Sequence, residues 1–461
     1  MWEIKKEAKT PIYQSIMKYI TQNIQNGVLL PSEKLPSERK LAELIGVNRS
    51  TIVRAMDELV AKGILNRQQG SGTFVNSDKW GLLSEPVVDW HEMIASNPSD
   101  ENARFMVKLK EKLTGKQPFL DAYTGELPLD LVPAFEFPQI NWRDFIQEDK
   151  NQDELGYFPL RQAIADLVAR EYALKMPVWQ VMITSGGHQA LFLLVQTLLN
   201  SGDSVAICQP SFLYALKLFQ TAGSRLFGVP MDAEGMRLDA LENEILKHRI
   251  KLVILNPTFQ NPTGSTMSLA RRKGLIKLCQ AYKVPIIEDD AFGFLPFDTA
   301  KRLPPLKKLD AQNVIYIGSL SKIIGSTTKI GWISAPPAVL EKLSAARADL
   351  DLTLSIFPQV LAKFALADAS FEEKLADLRK QIQARMTYFF DKIGNEFVCL
   401  RPSGGFYIWL KLPQPVINRL FDENILFLPS FIFGDKVPAV RLNIARLNFA
   451  EIDCLVAKIK G

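Results

Sequence analysis

Isoleucine recurs at every fourth position in PIYQSIMKYITQNIQNG, at Ile12, Ile16, Ile20 and Ile24. That interval lays one apolar stripe along an α-helix, and Gly27 is its expected stop. LPSERKLAELIG predicts a short second helix, with Ser37 as N-cap and Gly46 past its end. In NRSTIVRAMDELVAKG, Asn48 is the expected cap, Ile52, Met56 and Leu59 face inward, and Gly63 closes a third helix. A tight turn at Ile45-Gly46-Val47 therefore separates two helices, the spacing of a helix-turn-helix. ILNRQQGSGTFV reads next as strand, Gly-rich turn, strand. It predicts a wing whose Arg67 and turn backbone approach phosphates or the minor groove.

The pattern then changes. Between about Asn76 and Gln117 periodicity fades into turn formers and charges, a long connector in which Trp80, Val87, Val88 and Trp90 are candidates for docking. From residue 118 short apolar runs alternate with amphipathic helices. Val181–Thr184, Ser204–Cys208, Lys251–Leu255, Val284–Glu288 and Val314–Ile317 are the expected strands, with a helix from His188. Such alternation predicts a largely parallel sheet covered on both faces, with its site at the carboxyl ends of the strands. The expected organisation is a reader at 9–76, a connector at 77–117 and a large α/β body at 118–461.

Composition adds three bounds. Among 461 residues, 47% are apolar and 23% charged, as in soluble globular proteins. No apolar run approaches the roughly 18 residues of a membrane span, and no secretory signal opens the chain, so a cytoplasmic protein with no membrane partner is expected. Cys208, Cys279, Cys399 and Cys454 are scattered without a CxxC pair or a histidine cluster, which predicts buried thiols and no metal site. Charge is uneven: residues 1–80 carry twelve Lys/Arg against eight Asp/Glu, most of the whole-chain +5. A basic segment on a nearly neutral body points to a polyanion. Asn48, Arg49, Ser50 and Thr51, opening the third helix, suit contacts to phosphates and base edges in a major groove.

The candidate chemistry follows the strand ends. VMITSGGHQALFLL is strand, Ser185-Gly186-Gly187, helix, and its free backbone N–H groups suit a phosphate. Phe212 lies just beyond a strand, placed to stack on a flat ligand or to join the core. Asn261 stands in a turn with Pro262 and Gly264, a hydrogen-bonding group or a turn former. IIEDDAFGF ends a strand with Glu288, Asp289 and Asp290, three carboxylates that suggest a cationic partner. A protonated ring nitrogen fits, whereas a metal lacks a nearby histidine. IYIGSLSKIIGSTTKIGW then brings Lys322 with the hydroxyls of Ser319 and Ser321, and Lys329 as a second cation. Phosphate cradle, stacking ring, carboxylate and amine together describe a pocket for pyridoxal 5′-phosphate. Ser319-x-x-Lys322 also fits the Ser/Lys pair of penicillin-binding enzymes, but their SDN-like and KTG-like partners are missing from the sequence.

Two resemblances extend this. LPSERKLAELIGVNRSTIVRAMDELVAKGILNRQQGSGTFV resembles the winged helix-turn-helix of GntR regulators over about residues 9–76. It implies a double-stranded DNA operator met by Arg39, by Asn48 through Thr51 with Arg54, and by the wing glycines Gly70 and Gly72. Residues 118–461 resemble the fold-type I aminotransferases, a mostly parallel sheet with a smaller C-terminal α+β subdomain. SGGHQAL, NPTG, EDDAF and SLSK match the phosphate loop with Gly187 and His188, the O3′-contacting Asn261, the pyridine-nitrogen Asp289 and the Schiff-base Lys322. VRLNIA matches the segment whose arginine, here Arg441, grips a substrate carboxylate in bidentate fashion, and PSGGFYIWLKLP matches a small-domain strand. The combination resembles the MocR subfamily and implies a homodimer with readers exchanged between subunits.

Three positions depart from the aminotransferase pattern. Phe292 and Phe212 stand where tyrosines are usual, and Lys329 replaces an arginine that grips phosphate with a fork. These departures favour a regulator that senses the cofactor or an amino compound at Lys322. The alternative is a working aminotransferase, amino acid to 2-oxo acid, fused to a DNA-binding module.

Overall fold

The isoleucine stripe folds as its spacing requires. The computed structural model describes residues 11–25, 28–77, 101–349, 354–397 and 399–461. Helix α1 (Ile12–Gln25) buries Ile16, Ile20 and Ile24. They pack on Ile52, Ala55, Met56 and Leu59 of α3 (Arg49–Ala61), with α2 (Glu38–Ile45) adding Leu41. Each such isoleucine contributes roughly 1.5–3 kcal/mol on burial. Ser37 caps α2 through the N–H of Lys40, and Gly46 ends it in the left-handed region at φ +70, donating its N–H to the Ala42 carbonyl. Asn48 occupies the N-cap of α3, but its side chain makes no capping hydrogen bond. Strands β1 (Leu65–Gln68) and β2 (Gly72–Val75) pair antiparallel as the wing. The expected stop at Gly27, and Trp80, Val87, Val88 and Trp90, lie outside the described residues.

The second compact unit begins near Phe105. Within the stretch read as connector, Glu101–Thr114 forms a helix, α4. Its buried Leu109 packs with Trp409, Leu426 and Phe433, residues about three hundred positions away. Local periodicity carries no trace of such a contact.

An eight-stranded sheet forms the body. Its strands in chain order are β3 (Val181–Thr184), β4 (Ser204–Gln209), β5 (Arg225–Asp232), β6 (Gly235–Met236), β7 (Leu252–Leu255), β8 (Ile286–Asp290), β9 (Val314–Ser319) and β10 (Gly331–Ser334). Their spatial order is β3-β10-β9-β8-β7-β4-β5-β6. Strands β9, β8, β7, β4 and β5 run parallel, whereas β10 runs against both its neighbours. The reason is local: residues 320–330 contain no α-helix to carry the chain back over the sheet, so β10 returns antiparallel. Alternate residues enter different cores, Leu252 and Ile254 on one face and Val253 and Leu255 on the other.

Helix α5 (Gly186–Leu198) starts two residues earlier than expected, directly on the glycines. There β10 comes very close. A Cβ on Gly331 would stand 2.6 Å from the carbonyl carbon of Gly186 and 2.8 Å from the nitrogen of Gly187. Gly331→Ala is expected to cost about 1–3 kcal/mol, because the obstructing atoms are backbone; thermal unfolding checks this. The smaller subdomain joins α6 (Phe371–Ile393), β11 (Tyr407–Lys411), β13 (Ala439–Asn443) and α7 (Phe449–Lys460) around one apolar cluster, and β12 (Leu428–Pro429) pairs antiparallel with β13. Among the described residues, no helix is long and apolar enough to cross a membrane.

Candidate functional site

In the N-terminal unit, Arg39 projects freely, its side chain 84% exposed and only loosely near Glu43 at 4.0 Å. Arg49 and Ser50 are exposed at the start of α3, and Thr51 is half-buried. Gly70 and Gly72 adopt φ +80 and +122 at the wing tip. Two arginines make contacts within the unit. Arg67 does not reach outward: its guanidinium donates to Asp57 at 2.8 Å and to Glu38 at 2.9 Å, clamping the wing to α2 and α3. Arg54 rests 4.1 Å from the Tyr13 ring, a cation–π contact between α3 and α1. Glu38 also stands 3.7 Å from Arg49, so one carboxylate orients two arginines.

In the second unit, one cavity of about 620 Å³ gathers the candidate residues named for cofactor chemistry except Glu288 and Asp290. Gly187 and His188 open α5 on one side. Ser319 ends β9, Ser321, Lys322 and Lys329 come from the β9–β10 connection, Asp289 from β8, Phe212 and Asn261 from the segments after β4 and β7, and Arg441 from β13. Phe212 both lines the cavity and packs in the core. Ser319 accepts the N–H of Ser321 at 3.2 Å, which shapes the turn before Lys322.

The three carboxylates separate by strand alternation. Glu288 points away and accepts the N–H groups of Leu306 and Lys307 at 2.8 and 2.9 Å. Asp290 accepts the hydroxyls of Tyr172 and Tyr316 at 2.5 and 2.8 Å. Only Asp289 faces the cavity. The expectation of three acids on one cation is thereby corrected, because successive residues of a strand point to opposite faces. Burial pushes the Asp289 carboxyl up to about 6, opposed by the Asn256 side chain.

Lys322 Nζ donates to the Gly125 carbonyl at 2.6 Å and lies 5.7 Å from the centre of the Phe292 ring. Burial pulls its ammonium down to about 8, with Glu126 acting in the opposite direction. At neutral pH a tenth or so of such an amine is uncharged and nucleophilic. Burial, then Lys322 and Lys329, hold the His188 imidazole below its ordinary value.

Arg441 is buried, its Nη1 on Asn261 Oδ1 at 3.1 Å and its Nη2 on the Tyr123 carbonyl at 3.0 Å. Its guanidinium lies 4.1 Å from the Tyr407 ring. Its Nε is buried with no hydrogen-bond partner, as is Asn256 Oδ1. Two unsatisfied polar atoms on residues that line one cavity mark it as built for a polar guest. The backbone at Gly186–Gly187, the cations, the buried acid Asp289 and the flat Phe212 fit pyridoxal phosphate.

The sequence reading missed Tyr123, Gly125, Glu126, Asn256 and Tyr407, which also line the cavity. Asn256 directly follows β7 and was open to the strand-end rule. Gly125 has no local signal, yet a Cβ there would stand 2.6 Å from the Tyr407 hydroxyl.

Comparison with known proteins agrees with this arrangement. Residues 143–459 match the family described as aminotransferase class I and II. The chain belongs to that family. Residues 12–75 match the bacterial regulatory proteins of the gntR family. The chain is 32% identical over 470 residues to the uncharacterized HTH-type transcriptional regulator YisV of Bacillus subtilis, covering 98% of this chain and 96% of that one. It is 29% identical to the HTH-type transcriptional regulator NorG of Staphylococcus aureus over 429 residues, 89% of this chain and 95% of that one. An archaeal alanine:glyoxylate aminotransferase superposes with a TM-score of 0.70 at 26% identity, over 80% of this chain and 98% of its own. LysN, an α-aminoadipate aminotransferase of Thermus thermophilus, gives 0.66 at 28%, over 81% and 97%. The chain thus joins a GntR-type reader to an aminotransferase domain, the architecture of the MocR subfamily.

Proposed function

We propose that this protein is a DNA-binding transcription regulator whose aminotransferase domain holds pyridoxal phosphate and reads primary amines. The observation that carries the reading is that Lys322, Asp289 and Arg441, from three different elements, line one cavity. Bound pyridoxal phosphate supplies an aldehyde that condenses with an amine and a ring that withdraws electrons. Lys322 holds that aldehyde. Asp289, a buried carboxylate, keeps a proton on the ring nitrogen. Gly187, Ser319, Ser321 and Lys329 hold the phosphate, and His188, largely neutral, borders it. Arg441 exchanges its contacts with Asn261 and Tyr123 for the carboxylate of an amino compound. An effector that binds two conformations unequally then shifts DNA affinity by that difference. A homodimer with exchanged readers is part of the same reading, and light scattering tests the stoichiometry.

A second reading, a working aminotransferase, is favoured by the aminotransferases among the structural neighbours. Against it, Phe292 is buried edge-on against Phe406 and Tyr407 and brings no hydroxyl to the ring. Release of a 2-oxo acid at catalytic rates would decide for the enzyme. An amine-dependent spectral change that persists and alters DNA mobility decides for the regulator. Arg49→Ala is expected to weaken operator binding roughly tenfold or more and to leave the cofactor absorbance unchanged. Gel mobility and absorbance on the same sample check both halves.

A further inference from the structure

We propose that Glu126 is a positioning residue for Lys322: its carboxylate holds the free lysine as an ammonium and thereby favours the exchange of the cofactor from lysine to an incoming amine. This deepens the reading of the pocket and rests on it. Several observations converge. Lys322 Nζ docks on the carbonyl of Gly125, the residue just before Glu126. Asn443 pins this segment by donating to the carbonyls of Thr124 and Glu126 at 2.7 and 3.3 Å. The Glu126 carboxylate has no hydrogen-bond or ion-pair partner among the described residues, although it lines the cavity.

Charge decides its role. The charged groups acting on Lys322 are Glu126 and Asp289, which favour its ammonium, and Arg441 and Lys329, which oppose it; Glu126 is the largest of these influences. His188 also faces the amine from α5. Among the described residues that line the cavity, Glu126 and Asp289 are the two acids, and the ring nitrogen takes Asp289 in the proposed function. Glu126 remains for the lysine.

With pyridoxal phosphate bound, the carbon–nitrogen double bond to Nζ would be exchanged for one to the effector nitrogen: the effector enters as a neutral amine after releasing one proton to solvent, gives up its two N–H hydrogens, and Nζ gains two and leaves as a neutral amine. Nζ then takes one proton from solvent, matching the one the effector released. An adjacent anion favours that protonated product.

The test compares wild type with Glu126→Gln and Glu126→Asp. Acetic anhydride labels Lys322 across pH, read by peptide mass without cofactor. A second arm measures attachment of pyridoxal phosphate at pH 7 after borohydride trapping. Labelling in wild type is expected to turn on near 8. In Glu126→Gln the neutral fraction at pH 7 should rise about five- to tenfold, with attachment rising in parallel. Glu126→Asp should lie between, and supplies the comparison should the amide variant not fold. Identical labelling midpoints in all three chains overturn the role of Glu126. Different midpoints with no attachment anywhere overturn the cofactor reading and leave the Glu126–Lys322 pair standing.

Discussion

Lys322→Ala is expected to abolish the near-visible absorbance that pyridoxal phosphate develops with the wild-type chain, while the fold persists. The band requires conjugation of the ring with an imine, and among the described residues that line the cavity the other lysine is Lys329. Lys329 is assigned to the phosphate in the proposed function, and its backbone carbonyl stands 3.7 Å from a Cβ built on Gly186. It therefore cannot substitute without surrendering the phosphate. The fold should survive because the lysine stem adds little to the core, while its neighbours Leu320, Ile323 and Ile324 stay buried. Removing a half-buried ammonium whose burial already disfavours its charge should be close to neutral for stability. Unchanged thermal unfolding with no absorbance is the expected pair of results. Survival of the band in the alanine variant would sink the assignment.

Arg441→Ala should separate the two ligands. The guanidinium donates to Asn261 and to the Tyr123 carbonyl and lies over the Tyr407 ring. Truncating one partner of a buried charge pair costs about 2–5 kcal/mol, so affinity for a carboxylated amine should fall at least thirtyfold. Cofactor absorbance should remain. Titrating amino compounds against the cofactor spectrum of both chains checks this, and equal loss for amines lacking a carboxylate would argue against a carboxylate grip. Some loss of stability is expected as well, since Asn261 Oδ1 and the Tyr123 carbonyl lose their donor.

Much of this was readable before any coordinates. Short β-branched runs ending in Gly, Asn, Asp or Ser-Lys mark strands that deliver chemistry at their carboxyl ends, and those positions do converge. What stayed hidden has physical reasons. Gly228 and Pro230 interrupt β5, and its burial does not follow a clean alternation. Strand β10 was concealed by the lysine-bearing turn before it. Strand alternation would have singled out Asp289 from its neighbours had it been applied to IIEDD. Gly125 and Glu126 lie 197 and 196 positions before Lys322 and meet it only through the packing of the small subdomain. Arg67 misled because a cation beside glycines looks free until its two acids, Glu38 and Asp57, fold against it.

The antiparallel return of β10 has a consequence for how a bound cofactor is let go. Lys322 and Lys329 ride on the same stretch, residues 320–330, tethered at both ends to neighbouring strands. With Lys322 holding the aldehyde and Lys329 the phosphate, as proposed, a fluctuation that loosens this bridge would loosen both grips at once. Escape should then be a single concerted event, and amide hydrogens across 320–330 should exchange as one block.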